Sequence, residues 1–336
     1  MLSFLRILKI PGLFPILKDW QALVRMHFIH AAFESGLLQA LTTPCDRQML
    51  IRKLQVQRPD LLDALLDVGV ATRELGVKNQ RFFIKGKRSK AIITGNGDML
   101  AAMIQANITY YGDAYRHMPD RLRGGELGDD LERMGALVAR FSKIAEPILK
   151  DFVSGIVSGK NPMRILDVGC GSGIFLHSAH SSNRNATGVG LDSDDAVVLQ
   201  AKENLAQWDL DDAFRILQGD IRHPPEEIVG PFDLITLFNI LYYFNEEDRA
   251  DLIQGLRAML APQGVLAVAM NCRSRGMDVG AANLNVVNCS LKGLTPLPDL
   301  DDITGLLNQC GFRQIETHHF MPGSTFYGII AENASG

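Results

Sequence analysis

A glycine-rich turn marks the segment of this sequence whose residue types could most clearly bind a ligand. Ile165–Phe175 reads as a strand, a turn containing Gly169, Gly171 and Gly173, and the start of a helix. Glycines let the backbone come close to a ligand at the carboxyl end of the first strand of an open parallel sheet. The spacing therefore predicts a nucleotide-type site at the end of this strand.

A dinucleotide enzyme is the natural alternative for such a turn, and two residues argue against it. The dinucleotide fingerprint requires its third glycine at position 174, which is Ile174 here. Asp167, directly before the turn, would repel a pyrophosphate and attract a cation. The turn therefore favours a ligand that carries positive charge.

Two further carboxylates follow the next two predicted strands. Asp192 lies roughly twenty residues after the turn, where a carboxylate accepts both hydroxyls of a ribose. Asp220 ends the third strand, placed to accept an adenine amino group while Ile221 packs on the ring. Each acid alone would more often be a solvated residue at a strand end. Together with Asp167, they predict a nucleoside site.

The second half of the chain alternates short apolar runs with amphipathic helices, which predicts a parallel sheet covered on both faces. Only Met321–Gly323 separates the last two runs, so these should form an antiparallel hairpin. The predicted fold class is α/β, with a doubly wound, mostly parallel seven-stranded sheet and an antiparallel last strand. The expected strands are Arg164–Val168, Ala186–Leu191, Phe214–Gln218, Phe232–Phe238, Val265–Asn271, Phe312–Phe320 and Thr325–Glu332. The main helices are expected at Asp194–Trp208, Glu246–Leu260 (with Asn245 as its N-cap) and Asp299–Cys310.

The first third of the chain has the pattern of three helices followed by a short hairpin. Helices are expected over Gln21–Leu41, over Asp46–Leu54 and after an N-cap at Asp60. Two strands should follow, Leu75–Val77 and Arg81–Ile84, which is the order of a winged helix. We expect a winged-helix dimerisation domain at 1–105 and a catalytic domain at 106–336. The linking helices of 106–160 are expected within Asp98–Arg123 and Leu131–Val157.

Composition and charge narrow the possible partners. The 336 residues carry a formal net charge of −4, and the third helix is acidic where a recognition helix needs Arg, Lys, Asn or Gln. No nucleic acid partner is therefore expected.

The five cysteines form no C-x-x-C pair, which favours a reducing, cytoplasmic setting. His177 and His180 have no third ligand, so no metal site is predicted.

The apolar N-terminal segment could contact a membrane or a second copy of the chain. Met1–Phe14 is interrupted by Pro11 and Gly12 and is too short to span a bilayer, so membrane contact is the less favoured interpretation. Its large apolar side chains exceed what a monomer should expose, which favours a homodimer. These side chains are Phe4, Leu5, Leu8, Phe14 and Trp20.

With these motifs the chain resembles the winged-helix class I methyltransferases that act on small molecules, typified by plant-type O-methyltransferases and their bacterial relatives. The resemblance covers nearly the whole chain, including Ala31–Leu38, Met118–Glu126, Phe232–Asp248 and Thr325–Gly328. It implies S-adenosylmethionine as cofactor, a homodimer formed largely through the front third, and a small-molecule pocket partly roofed by that domain. The cofactor-binding residues implied by the resemblance are Asp167, Gly169, Cys170, Gly171, Gly173, Asp192, Asp220, Ile221 and Asn239.

One departure from the family's pattern concerns the general base. O-methyltransferases of this family carry a His after the fourth strand, where this chain has Tyr242, followed by Tyr243. The bacteriochlorophyllide C-20 methyltransferase type, which methylates carbon, and some carotenoid O-methyltransferases resemble this chain at that position. The acceptor atom therefore stays open between oxygen, carbon and nitrogen. Tyr242 is either a catalytic residue that orients the acceptor or a packing residue.

Two side chains are candidates for binding the acceptor. Tyr111 lies where a front-domain helix could reach the pocket, and Asn285 falls where the family has a pocket-lining helix. Both are equally well explained as packing residues. We expect methyl transfer to a small acceptor, aromatic or of the secondary-metabolite type. The alternatives are a cofactor-binding regulator that uses the winged helix, and a fold relative that uses the cofactor's charge for decarboxylation or pericyclic chemistry.

Overall fold

The computed structural model describes residues 10–129, 131–160, 162–274, 276 and 278–334, and of 131–133 only the backbone. The chain divides into two compact units. The first runs to Gly112 and includes Ala136–Ser142, and the second consists of Asp113–Gly135 and everything from Lys143 onward. Each unit has its own apolar core. Of the predicted N-terminal segment, residues 1–9 lie outside the described residues.

The first unit contains the predicted winged helix. Its hairpin is formed by β1 (Leu75–Lys78) and β2 (Arg81–Ile84), which pair antiparallel. Gly69 lies in the helix Pro59–Ala71, directly before the hairpin, and a Cβ there would lie 2.6 Å from the ring of Phe28 in the helix Leu13–Glu34. Glycine therefore allows these two helices to pack closely. The helices of the winged region are Leu13–Glu34, Leu37–Ala40, Arg47–Lys53, Pro59–Ala71, Lys87–Ile92 and Gly97–Ile108.

Two helices of the winged region, Leu13–Glu34 and Pro59–Ala71, begin or end at other residues than predicted. The first helix begins earlier, at Leu13, and ends at Glu34. Asp60 does not cap the helix Pro59–Ala71, the predicted third helix, because it lies inside the first turn of that helix. The helix starts at Pro59, and proline suits the first helical position because it has no N–H to satisfy there. The Asp60 carboxylate instead accepts hydrogen bonds from the guanidinium of Arg58.

The two long linking helices are broken where the sequence has proline near the start of a new helix. Pro119 and Pro147 each lie in the first turn of a helix, because a proline within a helix would remove a hydrogen bond and clash with the preceding turn. The prediction of one long helix over Leu131–Val157 is therefore wrong, and the helical stretch predicted over Asp98–Arg123 is divided into three helices. The observed helices are Gly97–Ile108, Tyr110–Arg116, Met118–Arg121, Leu131–Ser142 and Glu146–Val157.

The second unit is built on one seven-stranded sheet, in the order β5-β4-β3-β6-β7-β9-β8. The strands β3 to β7 are parallel, and β9 is antiparallel to both β7 and β8. The predicted fold class is thus confirmed. The strands are β3 (Arg164–Val168), β4 (Thr187–Asp192), β5 (Phe214–Gln218), β6 (Phe232–Phe238), β7 (Leu260–Asn271), β8 (Phe312–His319) and β9 (Phe326–Asn333). The helices around them are Ile174–Ser182, Asp195–Gln207, Arg249–Ala258, Val279–Asn288 and Leu300–Gln309.

Both faces of this sheet are buried. Ile165 belongs to one apolar cluster and its neighbour Leu166 to the other, and Leu234 and Ile235 on the adjacent strand divide in the same way. Successive side chains of a strand point to opposite faces, so the strands read as continuous apolar runs. The order of the strands along the chain reverses between β3 and β6. In open α/β sheets this reversal places ligands at the carboxyl ends of the central strands.

The segment after β6 also differs from the prediction. Asn245 makes no capping bond to the backbone, and its side-chain amide donates to the Asp248 carboxylate instead. Glu246–Asp248 form a short 3₁₀ turn, and the helix begins at Arg249.

An acidic N-cap, Asp278, starts the helix Val279–Asn288 by accepting from the N–H of Ala281 at 3.0 Å.

Candidate cofactor and acceptor site

The glycine-rich turn after β3 has a backbone that only glycine adopts without strain. Gly169 and Gly171 have φ of 68° and 54°, in the left-handed region. A Cβ at Gly169 would lie 2.8 Å from Cγ2 of Ile240, whereas a Cβ at Gly171 would meet nothing within 4 Å. Gly169 is thus needed for packing, and Gly171 faces open space where a ligand can approach the backbone.

Asp192, the last residue of β4, lies directly beside this turn. Its Oδ2 accepts from the N–H of Gly171 at 3.0 Å, and its Oδ1 from the N–H of Asp194 at 3.2 Å. The N–H groups of Gly169 and Cys170 both donate to the carbonyl of Leu191. A carboxylate has about four acceptor sites, so Asp192 retains capacity for the two hydroxyls of a ribose.

Asp167 is the most unusual carboxylate of the site. Its side chain is 1% exposed, Oδ1 accepts from Oγ1 of Thr236 at 2.6 Å, and Oδ2 is buried without a hydrogen-bond partner among the described residues. Burial raises the pKa of Asp167 to about 7, the Thr236 hydrogen bond lowers it, and the charge of Asp192 raises it further. An unsatisfied buried acceptor is costly, and a cationic ligand would relieve that cost.

Asp220 and Ile221 follow β5. Ile221 is buried in the core. The Asp220 carboxylate is held by Arg222, whose Nε lies 2.8 Å from Oδ2 and whose backbone N–H donates to Oδ1 at 2.9 Å. This pairing lowers the pKa of Asp220. The guanidinium of Arg222 also lies 5.7 Å from the ring centroid of Phe244. Sequence reasoning missed Arg222, although its position two residues after Asp220 allows this pair.

The segment after β6 carries Asn239 and the two tyrosines. Asn239 has a positive φ of 57°, which asparagine tolerates better than most residues, and its N–H donates to the carbonyl of Ala269 at 2.8 Å. Leu241–Tyr243 then form a 3₁₀ turn. Tyr242 is 9% exposed and packs in the core, while Tyr243 is 38% exposed, and their ring centroids are 5.2 Å apart.

A buried polar clamp holds this turn in place. The carbonyl of Tyr242 accepts from the N–H of Thr295 at 2.8 Å and from its Oγ1 at 2.9 Å. Arg249 is buried and donates to Oγ1 of Thr295 at 2.7 Å and to the carbonyl of Phe244 at 3.3 Å. Burial lowers the pKa of Arg249. Sequence reasoning missed both clamp residues, since neither belongs to a recognisable motif.

The two acceptor candidates lie in different units. Oδ1 of Asn285, on the helix Val279–Asn288, accepts from the N–H of Leu297 at 2.8 Å and so helps to hold the loop that carries Thr295. Tyr111 belongs to the first unit and is buried, and burial raises its pKa to about 12. Their roles in acceptor binding stay predictions.

Comparisons with known proteins agree with this fold. A family profile described as a methyltransferase domain matches residues 166–266. The ubiquinone biosynthesis O-methyltransferase of Actinobacillus pleuropneumoniae is 24% identical over 123 residues, which are 37% of this chain and 52% of that protein. The match thus spans about half the length of this curated relative.

Two solved structures share the fold over almost their full length. The mitomycin 7-O-methyltransferase MmcR has a TM-score of 0.80 at 15% identity, with 95% of this chain and 97% of that chain covered. Human N-acetylserotonin methyltransferase, solved with S-adenosylmethionine, has a TM-score of 0.75 at 16% identity, with 97% and 99% covered. At these identities the likeness shows the fold.

The sheet order and the turn with its carboxylates define the class I methyltransferase fold. Within it, residues 166–266 match the profile of a methyltransferase domain. The predictions of a methyltransferase and of S-adenosylmethionine as its cofactor are confirmed for this domain. The residues also fit the cofactor, because the unpartnered oxygen of Asp167 suits a cation and Gly171 leaves room beside Asp192. Among the described residues, no helix is long and apolar enough to cross a membrane.

Proposed function

We propose that this protein transfers a methyl group from S-adenosylmethionine to a small-molecule acceptor, at oxygen, carbon or nitrogen. The observation that carries the proposal is the buried, unpartnered oxygen of Asp167 beside a turn whose Gly171 faces open space. In this proposal Asp167 receives the cationic amino-acid part of the cofactor, and Asp192 the ribose. When bound, the cofactor supplies a methyl group already activated on a sulfonium.

The remaining predicted cofactor residues complete this part of the proposal. Asn239 begins the segment after β6, and Cys170 lies in the glycine-rich turn. Ile221 supplies an apolar surface for the base. Asp220 receives the adenine amino group only if it shares its carboxylate with Arg222 or exchanges that partner, because Arg222 binds both oxygens.

An aromatic or secondary-metabolite acceptor has the best support. The relatives are named as a mitomycin 7-O-methyltransferase, an N-acetylserotonin methyltransferase and a ubiquinone biosynthesis O-methyltransferase. These names describe small molecules with ring systems, and the shared fold makes a similar acceptor a reasonable proposal for this chain.

The lack of a histidine base limits the acceptor's chemistry. A general base is needed only if the acceptor is a hydroxyl that stays protonated in the site. A tyrosine with a pKa of roughly 10 is a poor base at neutral pH. We therefore assign Tyr242 the role of orienting the acceptor by hydrogen bonding. The acceptor would be an acidic phenol, an electron-rich carbon or an amine.

A labelling experiment tests this function. The purified protein is incubated with methyl-labelled S-adenosylmethionine and a small-molecule extract of its source cells, and the products are analysed by mass spectrometry. A labelled product that depends on Asp192 supports the proposal. A product altered without gain of a methyl group would support decarboxylation or pericyclic chemistry. A specific gel shift with genomic fragments, and no product, would support the regulator.

A cytoplasmic homodimer completes the proposal. All five cysteines lie in the described part of the chain and are free thiols, which fits a reducing compartment.

The first helix exposes more apolar surface than a monomer should present, because Phe14, Trp20 and Leu23 are each more than half exposed. Trp20→Asp should shift the protein toward monomer in light scattering. The matched control is Leu199→Asp, an exposed leucine of the second unit, which should leave the dimer unchanged.

A further inference from the structure

The five residues Ile240–Phe244, which we call the crossing segment, connect two loops at the carboxyl edge of the sheet. At one end, Cγ2 of Ile240 lies against Gly169, in the turn after β3. At the other end, the ring of Phe244 lies under the guanidinium of Arg222, in the loop after β5. Since β4 lies between β3 and β5, the crossing segment passes over the end of β4, where Asp192 is.

The two tyrosines of the crossing segment have different surroundings. Tyr242 packs among the apolar residues of the core. Tyr243 is four times more exposed, at 38% against 9%. Among the described residues, the hydroxyl of Tyr243 has no hydrogen-bond partner. The hydroxyl of Tyr243 can therefore donate a hydrogen bond to a ligand without losing a partner within the described part of the chain.

The electrostatics of Tyr243 agree with its position over β4. Burial of its hydroxyl raises its pKa, and the negative charge of Asp192 raises that pKa further. This influence of the Asp192 charge agrees with the course of the crossing segment from the turn after β3 to the loop after β5. A raised pKa also keeps the hydroxyl protonated at neutral pH, so that it can donate a hydrogen bond.

We propose that Tyr243 is a cofactor-binding residue, whose hydroxyl donates to a ribose oxygen beside Asp192 and whose ring covers that part of the site. This inference rests on the proposed function, because it takes the nucleoside of S-adenosylmethionine as the ligand. A ribose hydroxyl can donate to the Asp192 carboxylate and accept from a phenol at the same time. The two side chains thus bind the same group from two sides.

Calorimetric titration with S-adenosylhomocysteine tests the assignment on the full chain. Tyr243→Phe keeps the ring and removes the hydroxyl, and should weaken binding about 3- to 10-fold, the effect of one neutral hydrogen bond. Tyr242→Phe is the matched control and should bind like the wild type. Melting temperatures of both variants without ligand should equal that of the wild type, which excludes a change in folding as the cause.

A double-mutant cycle adds a measurement that a merely structural role would not change. If Tyr243 and Asp192 bind the same ribose, the effects of Tyr243→Phe and Asp192→Asn on affinity should be non-additive by at least about 2-fold. A Tyr243→Phe variant with wild-type affinity, or fully additive effects, would overturn the inference. Wild-type protein that fails to bind S-adenosylhomocysteine would overturn the proposed function as well. Binding without methyl transfer would count against the function alone.

Discussion

Each of the two units contains a buried carboxylate, and the two are satisfied differently. Glu74, in the first unit, is 2% exposed, and its Oε2 accepts from the N–H and the hydroxyl of Ser89 at 3.2 and 2.9 Å. Its Oε1 lies 3.7 Å from both Arg25 and Arg88. Asp167, in the second unit, is equally buried but has one oxygen without a partner.

Under the proposed function, this difference distinguishes a structural acid, Glu74, from an acid that binds the cofactor, Asp167. Burial alone does not mark a functional site, because Glu74 is buried with both oxygens engaged and holds the end of the hairpin to the following helix. A buried acceptor left unpaired costs free energy that the rest of the fold must offset. The cost at Asp167 is understandable if a cationic ligand pairs with that oxygen.

The pH dependence of stability should reveal Asp167 most clearly. In the folded protein its pKa is about 7, above the usual 3.8, so between these values the folded chain holds a proton that the unfolded chain lacks. Stability from this group is therefore present at low pH and lost as the pH rises toward 7, by roughly 4 kcal/mol in all.

Urea unfolding of the wild type and Asp167→Asn at several pH values checks this sign. The free energy of unfolding of the wild type should fall relative to Asp167→Asn between about pH 4 and pH 7. Asp209→Asn, at an exposed acid, serves as the control. A difference between wild type and Asp167→Asn that does not change with pH would show that the carboxyl of Asp167 is not protonated in the folded protein.

Substitution of Glu74, unlike that of an acid in the cofactor site, should cause a large loss of stability without loss of cofactor binding. Glu74→Ala leaves Ser89 without its acceptor and Arg25 and Arg88 without their counter-ion, which should cost about 3 kcal/mol in the free energy of unfolding. The folded variant should still bind S-adenosylhomocysteine with wild-type affinity, measured by calorimetry below its melting temperature. A loss of affinity would mean that Glu74 is not purely structural.

Asp192 is the second acid to which we assign a role in cofactor binding. Asp192→Ala removes the acceptor for two ribose hydroxyls, which should cost about 2–3 kcal/mol, or about 30- to 150-fold in the affinity for S-adenosylhomocysteine. Calorimetry measures this directly, with the exposed acid Asp211→Ala as the control. Unchanged affinity in Asp192→Ala would remove Asp192 from the site.

The role of the buried Tyr242 hydroxyl can also be tested by substitution. Tyr242→Phe keeps the ring in the core and removes only the hydroxyl. If the hydroxyl orients the acceptor, kcat should fall about tenfold or more, with little change in melting temperature or cofactor affinity. Steady-state kinetics with the identified acceptor measure this. Wild-type turnover would make Tyr242 a packing residue.

The fold was largely predictable because its signals are local. Apolar runs of strand length, amphipathic helices and turns predict the sheet and its antiparallel hairpin without any knowledge of long-range contacts. The errors lie at helix ends and breaks, such as those near Asp60 and Pro147, where capping and proline geometry compete with the periodic pattern. Carboxylates at strand ends could be grouped because the carboxyl ends of parallel strands share one edge.

By itself, the sequence determined the order of the strands along the chain, the glycine-rich turn, and the positions of Asp167 and Asp192 at strand ends. Which partner satisfies each of these groups depends on contacts that form only when the chain is folded. Thr236, on the neighbouring strand β6, donates to one oxygen of Asp167. Arg249 donates to Thr295, 46 residues away, which in turn donates to the carbonyl of Tyr242. Hydrogen bonds and burial between distant segments have no local pattern in the sequence, because they depend on which side chains the fold brings together.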